Sequence, residues 1–301
     1  MSNEVESLPG VHTPAELAAA LTYIGPVFTA EALDPEGHAE RPQADHPVTN
    51  EHDLAESYQL ATGLMPPPSE GKQGVALIVG NGAFETAAQL IPVETPIIMC
   101  DVNAANLLTQ RIILETVRNA PTAIEFLKAI GQFSDDYVGL PTRVNEKWAP
   151  LPLGERYRII EQQWASQSIP YFLQSQQAYE TAREALMQRA IGFRHIDLRD
   201  FSQHDAFAAD LADLGAEVTL LNATNAFDLA WAGPDCGVEL AERLPFHSNA
   251  LVMDSSANFL RSQVYRLDEW TEHNEKTAKA NGFRRTPEGW VYTKKLYTGA
   301  Y

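Results

Sequence analysis

Cysteine is nearly absent from this 301-residue chain, which contains only Cys100 and Cys236. One pair cannot make the framework of bridges that small secreted domains depend on, and such sparing use suits a reducing compartment. Long hydrophobic runs are missing as well. No apolar stretch approaches the roughly 20 residues that a membrane-spanning helix needs. The opening MSNEVESLPG has neither the basic start nor the apolar middle of a secretion signal. Positive charge is scarce: 22 Lys and Arg against 40 Asp and Glu leave a formal charge of −18. A chain this acidic repels phosphate backbones and anionic lipid surfaces. These absences predict a cytoplasmic protein with no membrane insertion and no nucleic-acid partner. A small molecule is the expected substrate, and a homodimer remains open. There is no P-loop, no G-x-S-x-G elbow and no His, Cys or carboxylate spacing suited to a metal, so no metal site is expected.

The chain is 45% apolar and 21% charged, enough to bury a sizeable core. Residues 1–70 read as a helical N-terminal cap. Thr13-Pro14 supplies an N-cap and a first-turn proline for a helix carrying Leu17 to Tyr23. A second helix is expected near 51–64, and Pro66-Pro67-Pro68 then breaks the chain. Residues 71–301 form the main domain, where short apolar runs alternate with longer helical stretches, the mark of a parallel sheet. Five strands are expected at 75–80, 96–101, 193–200, 217–223 and 250–256. Helices are expected at 83–90, 104–129, 175–190, 204–214 and 272–280, with an insertion near 131–172. Asn281-Gly282 reads as a C-cap, followed by two strands that turn at Pro287-Glu288-Gly289.

The ends of these strands carry the candidate chemistry. In IVGNGAFE (78–85), Gly80 and Gly82 allow a tight turn and close approach of a ligand to the backbone; a plain strand-to-helix turn is the alternative. Glu85 stands where a dinucleotide fingerprint has its third glycine. It is counted with the cofactor-contacting residues, and its charge argues against a pyrophosphate. Asp101, 19 residues beyond Gly82, can accept both hydroxyls of a ribose, or can cap the next helix. In HIDLRD (195–200), Asp197 is the first candidate and Asp200 the second to accept an adenine amino proton, with the Leu198 N–H facing a ring nitrogen. Helix capping by Asp200 or Ser202 is the alternative, and His195 reads as a strand residue with a satisfied partner. In LLNATN (220–225), Asn222, Thr224 and Asn225 place uncharged polar groups at the expected switch point of the sheet, suited to holding an amine. Tyr171, Phe172, Trp164 and Trp231 are aromatic candidates for contact with a cation, with core or lid packing as their alternative.

Glycines after strand one, acids after strands two and three, a polar end to strand four and a closing helix-strand-turn-strand together resemble class I S-adenosylmethionine-dependent methyltransferases, over about 74–300. Two positions depart from that pattern: Ile78 replaces an acidic residue two before the first glycine, and Phe84 replaces a third glycine. CDVNAANLLTQRIILETVRNAPTAIEFLKAIG (100–131), YFLQSQQAYETAREAL (171–186) and the N-x-T-N of 222–225 are similar to segments of S-adenosylmethionine:diacylglycerol 3-amino-3-carboxypropyltransferases and their relatives.

The resemblance implies a Rossmann-like sheet of order 3-2-1-4-5-7-6 and S-adenosylmethionine as cofactor. Gly80, Gly82, Glu85, Asp101, Asp197, Leu198 and Asp200 would lie around the nucleoside, and Asn222, Asn225 and Tyr171 at the reacting end. The implied chemistry is displacement at a sulfonium carbon. Methyl transfer comes first; 3-amino-3-carboxypropyl transfer or self-cyclisation releasing methylthioadenosine is the alternative. A non-catalytic binding protein on the same fold is the rival of another class, and its mark would be a crevice plugged by Phe84.

Overall fold

The computed structural model describes residues 12–24, 54–80, 84–102, 104–130, 142–144, 147–149, 172–173, 175–224, 226–227, 232–255, 263–286 and 289–292. In chain order the elements are α1 (Pro14–Ala20), α2 (Leu54–Leu64), β1 (Gln73–Val79), α3 (Phe84–Leu90), β2 (Ile97–Asp101), α4 (Ala104–Asn119) and α5 (Ala123–Ile130). They continue with β3 (Thr142–Val144), β4 (Lys147–Ala149), α6 (Gln176–Gln188), β5 (Ile191–His195), α7 (Phe201–Asp213), β6 (Ala216–Thr224) and α8 (Pro234–Arg243). Last come β7 (Phe246–Asp254), β8 (Gln263–Arg266), α9 (Leu267–Ala280), β9 (Phe283–Thr286) and β10 (Gly289–Tyr292).

Six strands form one sheet in the order β5-β2-β1-β6-β7-β8. The first five are parallel and β8 runs antiparallel to β7. This is an α/β, Rossmann-like arrangement, and its five parallel strands follow the expected order 3-2-1-4-5. The expected 7-6 continuation is not what forms. The edge next to β7 is taken by β8, the next strand in the chain, while β9 and β10, among the described residues, pair with each other alone. Once β8 occupies that edge, β7 has no unpaired ladder left to receive the terminal hairpin.

Both sheet faces are covered, so the strands are near-continuous apolar runs whose alternate residues look to opposite sides. In β1, Ala76 and Ile78 join the core beneath α2 to α6, while Val75, Leu77 and Val79 join the core beneath α1, α7, α8 and α9. The two described helices of the 1–70 segment thus lie on opposite faces. Leu17, Ala18 and Leu21 of α1 belong to one core, and Leu54, Tyr58 and Ala61 of α2 to the other.

Helix α1 has the expected start: Pro14 occupies its first turn, and Thr13 and Glu16 bond reciprocally in a capping box. Tyr23 then bridges Arg194 as a short extension of the sheet beyond β5. Gly192 permits this approach, because a Cβ there would meet the Ala18 carbonyl oxygen at 2.5 Å. The long helix expected over 104–129 is two helices. Pro121 cannot continue α4, and Thr122 restarts the chain with a second capping box on Glu125.

Candidate functional site

Sequence order reverses about β1: the chain builds outward through β2 and β5, then crosses to β6 on the other side. The carboxyl ends of β1 and β6 therefore flank the switch point of the sheet, where open α/β sheets leave a crevice for ligands. Gly80 follows β1 with φ +66°, a conformation that favours glycine, and apart from its chain neighbours no described heavy atom lies within 4 Å of where its Cβ would be. Its N–H donates to the Cys100 carbonyl at 2.8 Å, and its carbonyl accepts from Gln110 Nε2 at 3.2 Å. The turn is thus fixed to β2 and to α4 while its outer side stays open. Phe84 points into the core under α2 and α3.

Asp101 is the last residue of β2, and its carboxylate accepts from Asn106 Nδ2 on the first turn of α4. Its carbonyl accepts the Ile196 N–H at 2.9 Å, which extends the β2–β5 ladder past His195. The His195 Nε2 lies 2.8 Å from the Val102 carbonyl and donates to it, since a carbonyl oxygen only accepts. His195 is a strand residue with a partner, as read from the sequence.

Beyond β5 the acids are answered locally. Asp197 forms a two-pronged pair with the Arg199 side chain, at 3.0 and 3.1 Å, and accepts the Arg199 N–H at 2.9 Å. Burial works to raise this carboxyl, but the Arg199 hydrogen bonds and charge outweigh it and hold it below the usual range. Asp200 is the N-cap of α7, accepting from Ser202 N at 3.0 Å, Ser202 Oγ at 2.6 Å and Gln203 Nε2 at 3.0 Å. That is the capping alternative. Leu198 is buried in the turn between the two acids.

On the other side of the switch point, the Asn222 Nδ2 donates to the Tyr58 hydroxyl at 2.6 Å, tying β6 to α2 inside the core. Thr224 closes β6. Asp254, at the end of β7, accepts the Trp270 indole N–H at 2.5 Å. Phe172 stacks edge-on against Phe126 at 5.6 Å within the core, which is the packing alternative for that ring. Gly82, Asn225, Tyr171, Trp164 and Trp231 lie outside the described residues.

Two further features bear on chemistry. Glu85, in the first turn of α3, is buried, and that burial pushes its carboxyl up to about 7. A carboxyl poised there can exchange a proton near neutrality. The second feature is on α4, where Asn106 Oδ1, Thr109 Oγ1 and Gln110 Oε1 are buried with no hydrogen-bond partner among the described residues. A buried polar atom left unpaired costs about 1–3 kcal/mol. Sequence reasoning passed over these three and Tyr58. Polar residues at 106, 109 and 110 fall at helical spacing on a face that should be apolar, which was the available signal.

The crevice edge thus offers an open glycine turn and a carboxylate at the next strand, whereas the Asn222 amide is taken up inside the core by Tyr58. A carboxylate at a strand end can accept hydroxyl protons, and the Gly80 turn can admit a ligand against bare backbone. Among the described residues, no group of three His, Cys, Asp or Glu could hold a metal ion, and no helix is long and apolar enough to cross a membrane. No protein-family model matches the chain, and no curated protein matches it.

Proposed function

We propose that this chain is an S-adenosylmethionine-dependent transferase of the class I methyltransferase type, acting on a small molecule by displacement at a sulfonium carbon. The observation that carries the reading is the pairing of the open Gly80 turn with Asp101 across neighbouring strands at the switch point. In it, the Asp101 carboxylate takes the ribose hydroxyls and Asn106 orients that carboxylate. The β1 turn at Gly80 and Gly82 is assigned to the nucleoside and Asn225 and Tyr171 to the reacting end, while Asn222 is bonded to Tyr58 in the core. Asp197 and Leu198 border the adenine, with Asp197 held in place by Arg199 rather than turned to the base alone. Asp200 supports that turn by capping α7. Glu85 lies below the glycine turn as a buried, titrating carboxyl. Rate enhancement comes from alignment of the nucleophile and exclusion of water.

Calorimetric titration of the full chain with S-adenosylmethionine tests the cofactor, and mass spectrometry of the products tests the reaction. Saturable one-site binding is expected. No binding by a protein that melts cooperatively would end the proposal. Methylthioadenosine among the products would move the reaction from methyl transfer to attack on the aminocarboxypropyl carbon, with a cyclic amino acid beside it as the mark of self-cyclisation.

A further inference from the structure

Helix α4 carries Asn106, Thr109 and Gln110 at the i, i+3, i+4 spacing that makes helical neighbours. This face looks toward the ends of β1 and β2, because Asn106 reaches Asp101 and Gln110 reaches Gly80. All three side chains are buried, at 4%, 0% and 1% exposure. The amides are held one way round. Asn106 donates through Nδ2 to a carboxylate and Gln110 through Nε2 to a backbone carbonyl; these partners are acceptors, so turning either amide over would set oxygen against oxygen. Their oxygens are therefore the ends left without a partner among the described residues, beside the Thr109 hydroxyl. Thr109 also differs from Thr62, Thr116, Thr181, Thr271 and Thr277, each of which donates to the carbonyl four residues back.

Two buried amide oxygens and a buried hydroxyl in a row call for a ligand that brings several donors. An alcohol brings one donor and water two. A primary ammonium brings three N–H donors, one for each of these oxygens. A cation is also favoured by the Asp101 carboxylate, joined to this face through Asn106, and by the overall charge of −18. We propose that the α4 face is a binding subsite for a primary ammonium group on the acceptor substrate, received by Asn106 Oδ1, Thr109 Oγ1 and Gln110 Oε1. This deepens the proposed function by naming a substrate class, and it rests on that reading for the assignment of the ammonium to an acceptor. The ammonium is a handle rather than the nucleophile. A nitrogen whose three protons are all held has no lone pair with which to attack a sulfonium carbon, so the reacting group lies elsewhere on the same molecule.

The full chain, with and without S-adenosylmethionine, is titrated calorimetrically with n-butylammonium chloride and with n-butanol, which share chain length and differ in the head group. The ammonium is expected to bind at least tenfold more tightly than the alcohol. Thr109→Val, close in shape, and Gln110→Met are each expected to weaken the ammonium about tenfold, with melting curves checking that both fold. Equal affinity for ammonium and alcohol overturns the subsite, as does a Thr109→Val protein that binds the ammonium as the wild type does. If Gln110→Met does not fold, the Thr109→Val result and the ammonium-to-alcohol ratio decide. Ammonium binding as stated, without any S-adenosylmethionine binding, keeps the subsite and removes only its assignment to an acceptor.

Discussion

The carboxyl edge of the sheet is built differently on its two sides. Past β5, Asp197 is answered by Arg199, and Asp200 by Ser202 and Gln203, all within three residues along the chain. Beside β1 and β2, a glycine turn stands open, a carboxyl is buried on α3, and three polar atoms on α4 find no partner among the described residues. Folded proteins leave few buried polar groups unpaired. A concentration of them on one stretch is where stability has been given up to something other than the fold. The acids past β5 hold their own turn in place, although His204 behind them on α7 is also without a partner among the described residues. The α4 face beside β1 and β2 is where a ligand has something to gain.

The largest expected effect belongs to Glu85 and would sharpen that contrast. Its folded value is raised from 4.5 to about 7 by burial, which corresponds to about 3 kcal/mol. The folded state holds the proton more firmly, so this penalty is absent below about pH 4.5, grows as pH rises and is complete above about 7. Glu85→Gln removes it, so the variant should melt several degrees above the wild type at pH 8 and show no such advantage at pH 4. His204 on α7 tests the contrast from the opposite face. It is fully buried, and neither ring nitrogen has a partner among the described residues. Burial, then the Arg243 charge, lowers its value, against Asp205, Glu239 and Asp200, which raise it. Here the unfolded state holds the proton more firmly, so stability falls as pH drops through about 6.5. His204→Leu should flatten the melting curve on that acid side only. If both substitutions shift stability in the same direction at every pH, burial is not what governs either group.

Next in size is Asp101. If its carboxylate takes the ribose hydroxyls, Asp101→Ala should weaken S-adenosylmethionine binding about a hundredfold, near 2.7 kcal/mol. Asp197→Ala should cost less than tenfold, because that carboxylate already has Arg199 as partner. Calorimetry that finds the two losses equal would erase the distinction between the two sides. Tyr58→Phe follows. It leaves the buried Asn222 amide without the hydroxyl it donates to, and should destabilise the fold by about 1–3 kcal/mol in chemical denaturation.

Much of this contrast depends on which parts of the chain read locally. The five parallel strands were legible because each is a short apolar run between turn signals, and Asp101 and Asp200 because strand ends and caps are written in a few adjacent residues. The break at Pro121 was equally visible, with Thr122 and Glu125 spelling a capping box, yet the apolar periodicity on either side suggested one helix. Strand β8 was missed because four residues carry little pattern, and the place of the terminal hairpin depends on β8. The Tyr58–Asn222 bond joins residues 164 apart, and no local signal announces it. Asn106 and Gln110 were passed over for a related reason: their roles depend on Asp101 and Gly80 arriving beside α4.

The smallest expected effects lie on the self-contained side. Asp200→Ala removes the side chain that accepts the Ser202 N–H at the start of α7. Loss of such a cap should lower the melting temperature by roughly 2 °C. Arg199→Ala frees the Asp197 carboxylate from a pair whose arginine is 60% exposed, and exposed pairs contribute less than about 1 kcal/mol. Its stability cost should therefore be close to the limit of measurement. Its effect on binding is the informative one. With Arg199 gone, Asp197 is free to turn fully to a bound base, so S-adenosylmethionine affinity should hold or rise. A clear fall would mean that the arginine itself meets the ligand, and that this side of the edge is not self-contained after all.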